Sequence, residues 1–257
     1  MCLVLIAWRV HPRYPLIVAA NRDEFYARPT LPARRWPGAS GMIAGQDLEA
    51  GGSWMGVDAA GRFAAVTNFR ELEQGPADAR SRGELVTDYL LRDAPVQSYL
   101  AELAERANHY RGYNLLLTDG GELYCASNRG APIRLLPPGV HGVCNGPLDS
   151  DWPKVKRGRR LLAKAVDRIE PSPKQLLELL RDQTQPDDET LPDTGIGLEW
   201  ERLLGTIAID GALAGRDYGT RSASVLLLDG KGRGRFVEHS RMDDASWQQR
   251  EFRIGPT

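Results

Sequence analysis

Apolar residues gather in short runs along the first part of the chain. Cys2 to Val10 and Leu16 to Asn21 are dense in Val, Ile and Leu, and they flank His11-Pro12-Arg13-Tyr14-Pro15, whose prolines suit a connection. The two runs predict a hairpin. Ser53 to Val57 and Arg62 to Phe69 predict a second one across Asp58-Ala59-Ala60-Gly61, where the glycine can take the positive φ of a tight reversal. Tyr113 to Thr118, Glu122 to Ser127 and Pro132 to Asn145 read as further strands, with Asp119-Gly120-Gly121 as the first turn between them. Leu204 to Asp210, Ser222 to Asp229 and Gly234 to His239 follow, the last two joined across Gly230-Lys231-Gly232-Arg233.

Between these runs the period changes. Ser81-x-x-Glu84 is a capping-box pattern ahead of Leu85, Val86, Tyr89 and Leu90, and predicts a helix from near residue 82; another is expected from Val96 to Ala107. Val155, Leu162, Val166 and Ile169 are spaced for a helix over Pro153 to Ile169, and Ser172-Pro173-x-Gln175 caps one carrying Leu176, Leu177, Leu179 and Leu180. Gln183 to Gly197 is polar and reads as a mobile surface loop, a candidate lid. Runs of strands, then helices, then both again predict an α+β chain, residues 1–257 in one domain, with helices on the faces of mainly antiparallel sheets.

Composition narrows the function. The 257 residues are 42% hydrophobic and 26% charged, the profile of a globular protein and not of a disordered or fibrous one. Thirty-three Lys and Arg against thirty-four Asp and Glu leave a net charge of -1, so no long-range field gathers nucleic acid. Three cysteines without a CxxC pair argue against a secreted disulfide framework and a zinc knuckle. The opening apolar run is too short for a membrane span, which needs about 20 residues, and has no basic residues before it; the expected location is the cytoplasm. The four histidines form neither HExxH nor CxxCH, and GxSxG and Walker-type loops are missing, so no metal and no required cofactor are expected.

Candidate chemistry centres on Cys2. With Met1 removed it would carry a free α-amine, whose pKa of about 7.7 to 8.0 suits it to take the thiol proton. Alone, Cys2 reads equally as the start of a buried strand. The hairpin strengthens the chemical reading: with a turn near residues 11 to 14, paired residue numbers sum to roughly 25, which brings Asn21-Arg22-Asp23-Glu24 beside the thiol. There Arg22 would lower the thiol pKa and hold a carboxylate or carbonyl, and Asp23 would orient the amine; the same two residues also read as a solvated pair at a strand end. Asn68 and Asn145 are candidate oxyanion donors, although Asn145 before Gly146 also suits a plain turn. Arg221 stands between surface charge and pocket ligand. The basic cluster Lys154, Lys156, Arg157, Arg159 and Arg160 reads mainly as a solvated helix face.

Met1-Cys2 opening an apolar strand, Ala20-Asn21-Arg22-Asp23-Glu24-Phe25, Gly52-Ser53-Trp54-Met55-Gly56, Val66-Thr67-Asn68-Phe69-Arg70, Ser81-Arg82-Gly83, Asn145-Gly146 ahead of Trp152-Pro153-Lys154, and Gly219-Thr220-Arg221-Ser222 together resemble the NRDE family, also called the transport and Golgi organisation protein 2 family. The resemblance runs in order through most of the chain. It implies an N-terminal-nucleophile hydrolase-like αββα sandwich, similar to that of the choloylglycine hydrolase and penicillin V acylase group. In that group the N-terminal cysteine attacks an amide with help from an arginine, an aspartate, asparagines and a late arginine. The roles would fall here to Cys2, Arg22, Asp23, Asn68, Asn145 and Arg221.

This chain departs in one respect. Arg22 and Asp23 are adjacent, where the acylases separate the pair by two residues, and neighbours on a strand point to opposite faces. The family is also linked to haem movement and to lipid or acyl-coenzyme A metabolism. Two functions are therefore expected in competition: a cysteine amidohydrolase acting on a linear C–N amide, or a noncatalytic carrier holding noncovalent haem or an acyl-coenzyme A on Asn21, Arg22, Asp23 and Glu24.

Overall fold

The computed structural model describes residues 2–38, 40–72, 76, 78–130, 132–168 and 170–255, so Met1 and Ile169 lie outside the described residues. The first seven-stranded sheet comprises β1 (Cys2–Trp8), β2 (Leu16–Phe25), β10 (Gly139–Val143), β11 (Asp210–Leu213), β12 (Arg216–Leu228), β13 (Gly234–Arg241) and β14 (Trp247–Ile254), in the order β10-β1-β2-β12-β13-β14 with β11 against β12. The second runs β3 (Thr30–Arg35), β4 (Ile43–Asp47), β5 (Met55–Val57), β6 (Phe63–Asn68), β7 (Tyr113–Thr118), β8 (Leu123–Ser127) and β9 (Ile133–Leu136) in sequence order. Every pairing between these strands is antiparallel.

Helices cover the outer faces. α1 (Gly83–Leu91) and α2 (Val96–Arg106) pack Leu85, Tyr89 and Leu100 on the second sheet; α3 (Pro153–Val166) and α4 (Pro173–Leu179) pack Val155, Leu162 and Leu176 on the first. α5 (Leu198–Leu204) lies beside β11. Between the sheets, Val4, Ile6, Val18, Met55, Phe63, Leu116 and Phe236 form the central core. The arrangement is the four-layer αββα sandwich. It explains why β1 is apolar throughout instead of alternating: with a sheet on one side and helices on the other, both of its faces are buried.

Several expectations change. Pro132 to Asn145 is two strands in different sheets, β9 and β10, with the chain crossing between sheets at Pro137-Pro138. Leu204 to Asp210 is not a strand: Leu204 ends α5 and β11 starts at Asp210. At α1 the Ser81 box does not form, because Glu84 turns to Arg80 at 2.6 Å and to the Tyr110 hydroxyl at 2.5 Å. The box at α4 does form between Ser172 and Gln175.

Candidate active site

Strand parity sorts the residues around Cys2. In the first hairpin Cys2 pairs with Arg22, Val4 with Ala20 and Ile6 with Val18. Cross-strand partners share a face, and Val4, Ile6, Val18 and Ala20 belong to the inter-sheet core. Cys2 and Arg22 continue that face at the strand end, where the core gives way to a cavity of about 460 Å³ lined by both.

The odd-numbered residues face the helices. Asn21 is fully buried, its Nδ2 donating to the carbonyls of Leu180 at 2.8 Å and Ile207 at 2.9 Å, so it ties α4 to the sheet and does not line the cavity. Asp23 borders the cavity's edge but accepts from the Thr220 hydroxyl at 2.8 Å and stands 3.9 Å from the buried ammonium of Lys154. Adjacency thus divides the two functions: the guanidinium goes with the sulfur, the carboxyl with the first turn of α3.

A bulge places the late arginine. β12 pairs Thr220 with Asp23 and Ser222 with Arg22, leaving Arg221 as the extra residue. Its side chain is buried, lines the cavity, donates to the Tyr26 carbonyl and lies 3.7 Å from Asp243. Asn68 lines the cavity at the end of β6. Asn145 does not: its Nδ2 donates to the Asn68 carbonyl at 2.9 Å, which holds Asn68 in place from behind. Gly146 is held in turn by the Asn114 amide at 3.0 Å and covered by Trp152, whose ring would meet a Cβ there at 2.7 Å. Glu24 lines the cavity 4.0 Å from the guanidinium of Arg22.

Besides the exposed Glu49, which pairs with Arg28, two acidic residues at the cavity were not picked out in the sequence. Asp47 accepts from Arg22 at 2.8 Å and from Arg28 at 2.7 and 3.2 Å, and its other contacts close its own turn through the N–H groups of Glu49 and Ala50. Burial alone would raise its pKa, but the Arg28 hydrogen bonds, the Ala50 N–H and both guanidinium charges hold it below the ordinary value. Glu238 is buried in the wall and accepts from the Ala33 N–H and the hydroxyls of Ser240 and Ser224. Burial raises its pKa despite those donors. Neither sits in a chemically suggestive local pattern; an acidic residue inside an otherwise strand-like run was the available signal.

The sulfur itself is held as a thiol. Burial raises the Cys2 pKa, and Asp23 and Glu24 push the same way against the positive charges of the chain's amino terminus and Arg22. A base is therefore needed for it to act as a nucleophile. Gln183 to Gly197 contributes nothing to the cavity lining; it packs on α5 instead, with Thr194 donating to Glu201 and Arg202 paired to Asp188. In the basic cluster only Lys154 is buried, while Arg157 pairs with Asp182 at 2.6 Å and Lys156 is exposed. Among the described residues no helix is long and apolar enough to cross a membrane.

Comparison with known proteins follows the same lines. The model of the family described as Transport and Golgi organisation 2 matches residues 1–243. The chain is 35% identical to the mouse Transport and Golgi organization 2 homolog over 95% of this chain and 94% of that protein, and 34% identical to the human homolog over 98% of each. Among solved structures it resembles penicillin V acylase from Agrobacterium tumefaciens with a TM-score of 0.55 at 12% identity, covering 98% of this chain and 86% of that one. The fold is that of the N-terminal-nucleophile hydrolases.

Proposed function

We propose that this chain, which belongs to the Transport and Golgi organisation 2 family, is a cysteine amidohydrolase-like protein acting on a linear C–N amide. The observation that carries this reading is the Cys2 sulfur opening on the same charged cavity as the Arg22 guanidinium. Cys2 is proposed as the nucleophile, Arg22 and Arg221 as the groups that hold a polarised carbonyl or carboxylate, and Asn68, positioned by Asn145, as a donor to the oxyanion. Asp23 with Lys154 is proposed to orient the amine.

The reaction balances as an acyl transfer. The sulfur bonds to the carbonyl carbon as its proton passes to the α-amine of Cys2; that proton then goes to the leaving nitrogen as the C–N bond breaks. Water cleaves the resulting thioester and restores the thiol. Burial of the thiol makes the amine necessary, so the mechanism requires Cys2 to become the first residue of the mature chain. Intact mass of the protein purified from cells is expected to lack Met1. Turnover of a panel of acyl amides is expected to fall about 10⁴-fold in Cys2→Ala; a retained Met1 removes the mechanism, and unchanged turnover removes the nucleophile.

One observation favours a carrier instead: the Cys2 side chain is buried, which disfavours the thiolate that would attack. In that reading the cavity binds an acyl-coenzyme A or haem without chemistry. Among the described residues no histidine lines the cavity, and the Cys2 sulfur is the side chain there suited to ligate haem iron. Saturable one-to-one haem binding that survives in Cys2→Ala would count against sulfur ligation, and acyl-coenzyme A binding without turnover would favour the carrier. The proposed setting is the cytoplasm, which suits three buried free cysteines.

A further inference from the structure

Arg82 and Arg111 form a part of the cavity wall to which the amide reading gives no role. Arg82 precedes the first turn of α1 and is held there by a close backbone contact. Ser53 N–H donates to the Gly83 carbonyl at 3.1 Å, and a Cβ on Gly52 would stand 2.4 Å from the Gly83 carbonyl carbon, so only glycine permits the approach. The Arg82 side chain donates to the Gly112 carbonyl at 3.2 Å, next in sequence to Arg111. Neither guanidinium has a carboxylate within ion-pair distance, and the Arg111 side chain has no hydrogen bond, among the described residues.

The acids nearby are engaged elsewhere. Asp47 and Glu49 pair with Arg22 and Arg28, and Glu238 is held by Ala33, Ser224 and Ser240. Of the two acids that act on Arg82, Glu71 is bonded by Arg129 at 2.6 and 2.9 Å and by the Gly112 N–H, and Glu24 stands 4.0 Å from both Arg22 and Arg28. Burial and the neighbouring Arg111 charge both lower the pKa of Arg82, while the Cys2 sulfur acts on it in the opposite sense. Two like charges share a cavity wall with no carboxylate at ion-pair distance among the described residues, and the burial of Arg82 and its repulsion by Arg111 outweigh the more distant Glu71 and Glu24. An anion placed between them relieves the repulsion and gains charge-assisted hydrogen bonds.

We propose that Arg82 and Arg111 form an oxyanion subsite that takes a carboxylate or phosphate carried by the ligand. The proposal rests on the reading above in that it makes the ligand an acyl amide bearing such a group close to the scissile bond. It assigns Arg82 and Arg111 to binding and selectivity, with no part in the chemical step.

The test is calorimetric titration of the full chain, with Cys2→Ala as background so that amides stay intact. The probes are hexanoylglycine, N-hexanoyl-phosphoethanolamine, the neutral N-ethylhexanamide, and hexanoate and inorganic phosphate alone. The expected result is binding of at least one anionic amide about tenfold tighter than the neutral one, with that advantage lost in Arg82→Gln/Arg111→Gln and weakened by salt. The carboxylate and phosphate amides together tell which oxyanion is preferred. Should the double variant fail to fold, Arg111→Gln alone, at an exposed side chain, is expected to lose part of the advantage. An equal advantage in wild-type and variant chains overturns the subsite and leaves the amide reading standing. Arginine-dependent binding of hexanoate or phosphate with none of the amides bound keeps the subsite and sinks the amide reading. No saturable binding of any anion overturns the subsite.

Discussion

The space between the two sheets is packed hydrocarbon at one end and a charged cavity at the other, although both ends are built from the same faces of the same two strands. Ile6 and Val18 meet Met55, Phe63 and Leu116 from the opposite sheet; two rungs along, Cys2 and Arg22 share a cavity with Gly45, Asp47, Trp54 and Asn68. Cys2 is 8% exposed and Ile6 1%, so accessibility hardly separates them. What separates them is the opposing layer, which supplies side chains to fill the space in one place and glycine and charge in the other. Low exposure is not the same as packing.

Substitutions can break or sharpen this contrast. Ile6→Ala removes a filled core position and is expected to cost about 2–5 kcal/mol of stability by urea denaturation, with ligand affinity unchanged in the variant that still folds. Asp47→Ala is expected to cost about 1–3 kcal/mol, because Arg22 and Arg28 lose their shared carboxylate. A neutral Asp47→Ala would show that the cavity end is held by something other than its ion pairs.

His141, paired across from Ile6, is a polar exception at the hydrocarbon end. Its ring bonds Asp149 at 2.8 Å and the Pro137 carbonyl at 2.9 Å, and the Asp149 hydrogen bond raises its pKa against the effect of burial. The charged ring is thus favoured in the folded state. Its stabilisation is complete below about pH 6.5, the unfolded value, and is lost as pH rises through the higher folded value. A melting series should show a loss on the order of 1 kcal/mol over that window, absent in His141→Gln. Cys2→Ala is expected to have the smallest effect, under about 1 kcal/mol of stability, since it removes a sulfur that faces a cavity. A cost equal to that of Ile6→Ala would mean the sulfur is packed and the two ends are alike.

Much of the fold was legible because it rests on local rules. Paired residues in the first hairpin sum to 24 in Cys2 with Arg22, one register step from the expected 25, since strands adjacent in the chain and closed by the 9–15 connection have few registers that keep both apolar faces buried. β3, β4 and β14 were not foreseen: β3 carries a proline, β4 ends in Gln46-Asp47, and β14 alternates polar residues as edge strands do. α5 was hidden because its seven residues make about two turns, too short a stretch for its apolar positions to display a period.

The site divides in the same way. Residue types near one another in the chain were readable: the Cys2 strand, the Asn21 to Glu24 cluster beside it, and the rule that Arg22 and Asp23 must part. That rule depends only on the two-residue repeat of an extended backbone. The structure alone decided which partner each received, because those contacts join residues far apart in sequence: Asn21 with Leu180 and Ile207, Arg22 with Asp47, Asp23 with Lys154 and Thr220, Asn145 with Asn68. Periodicity is set by the local chain, whereas the filling of the space between layers depends on every layer at once.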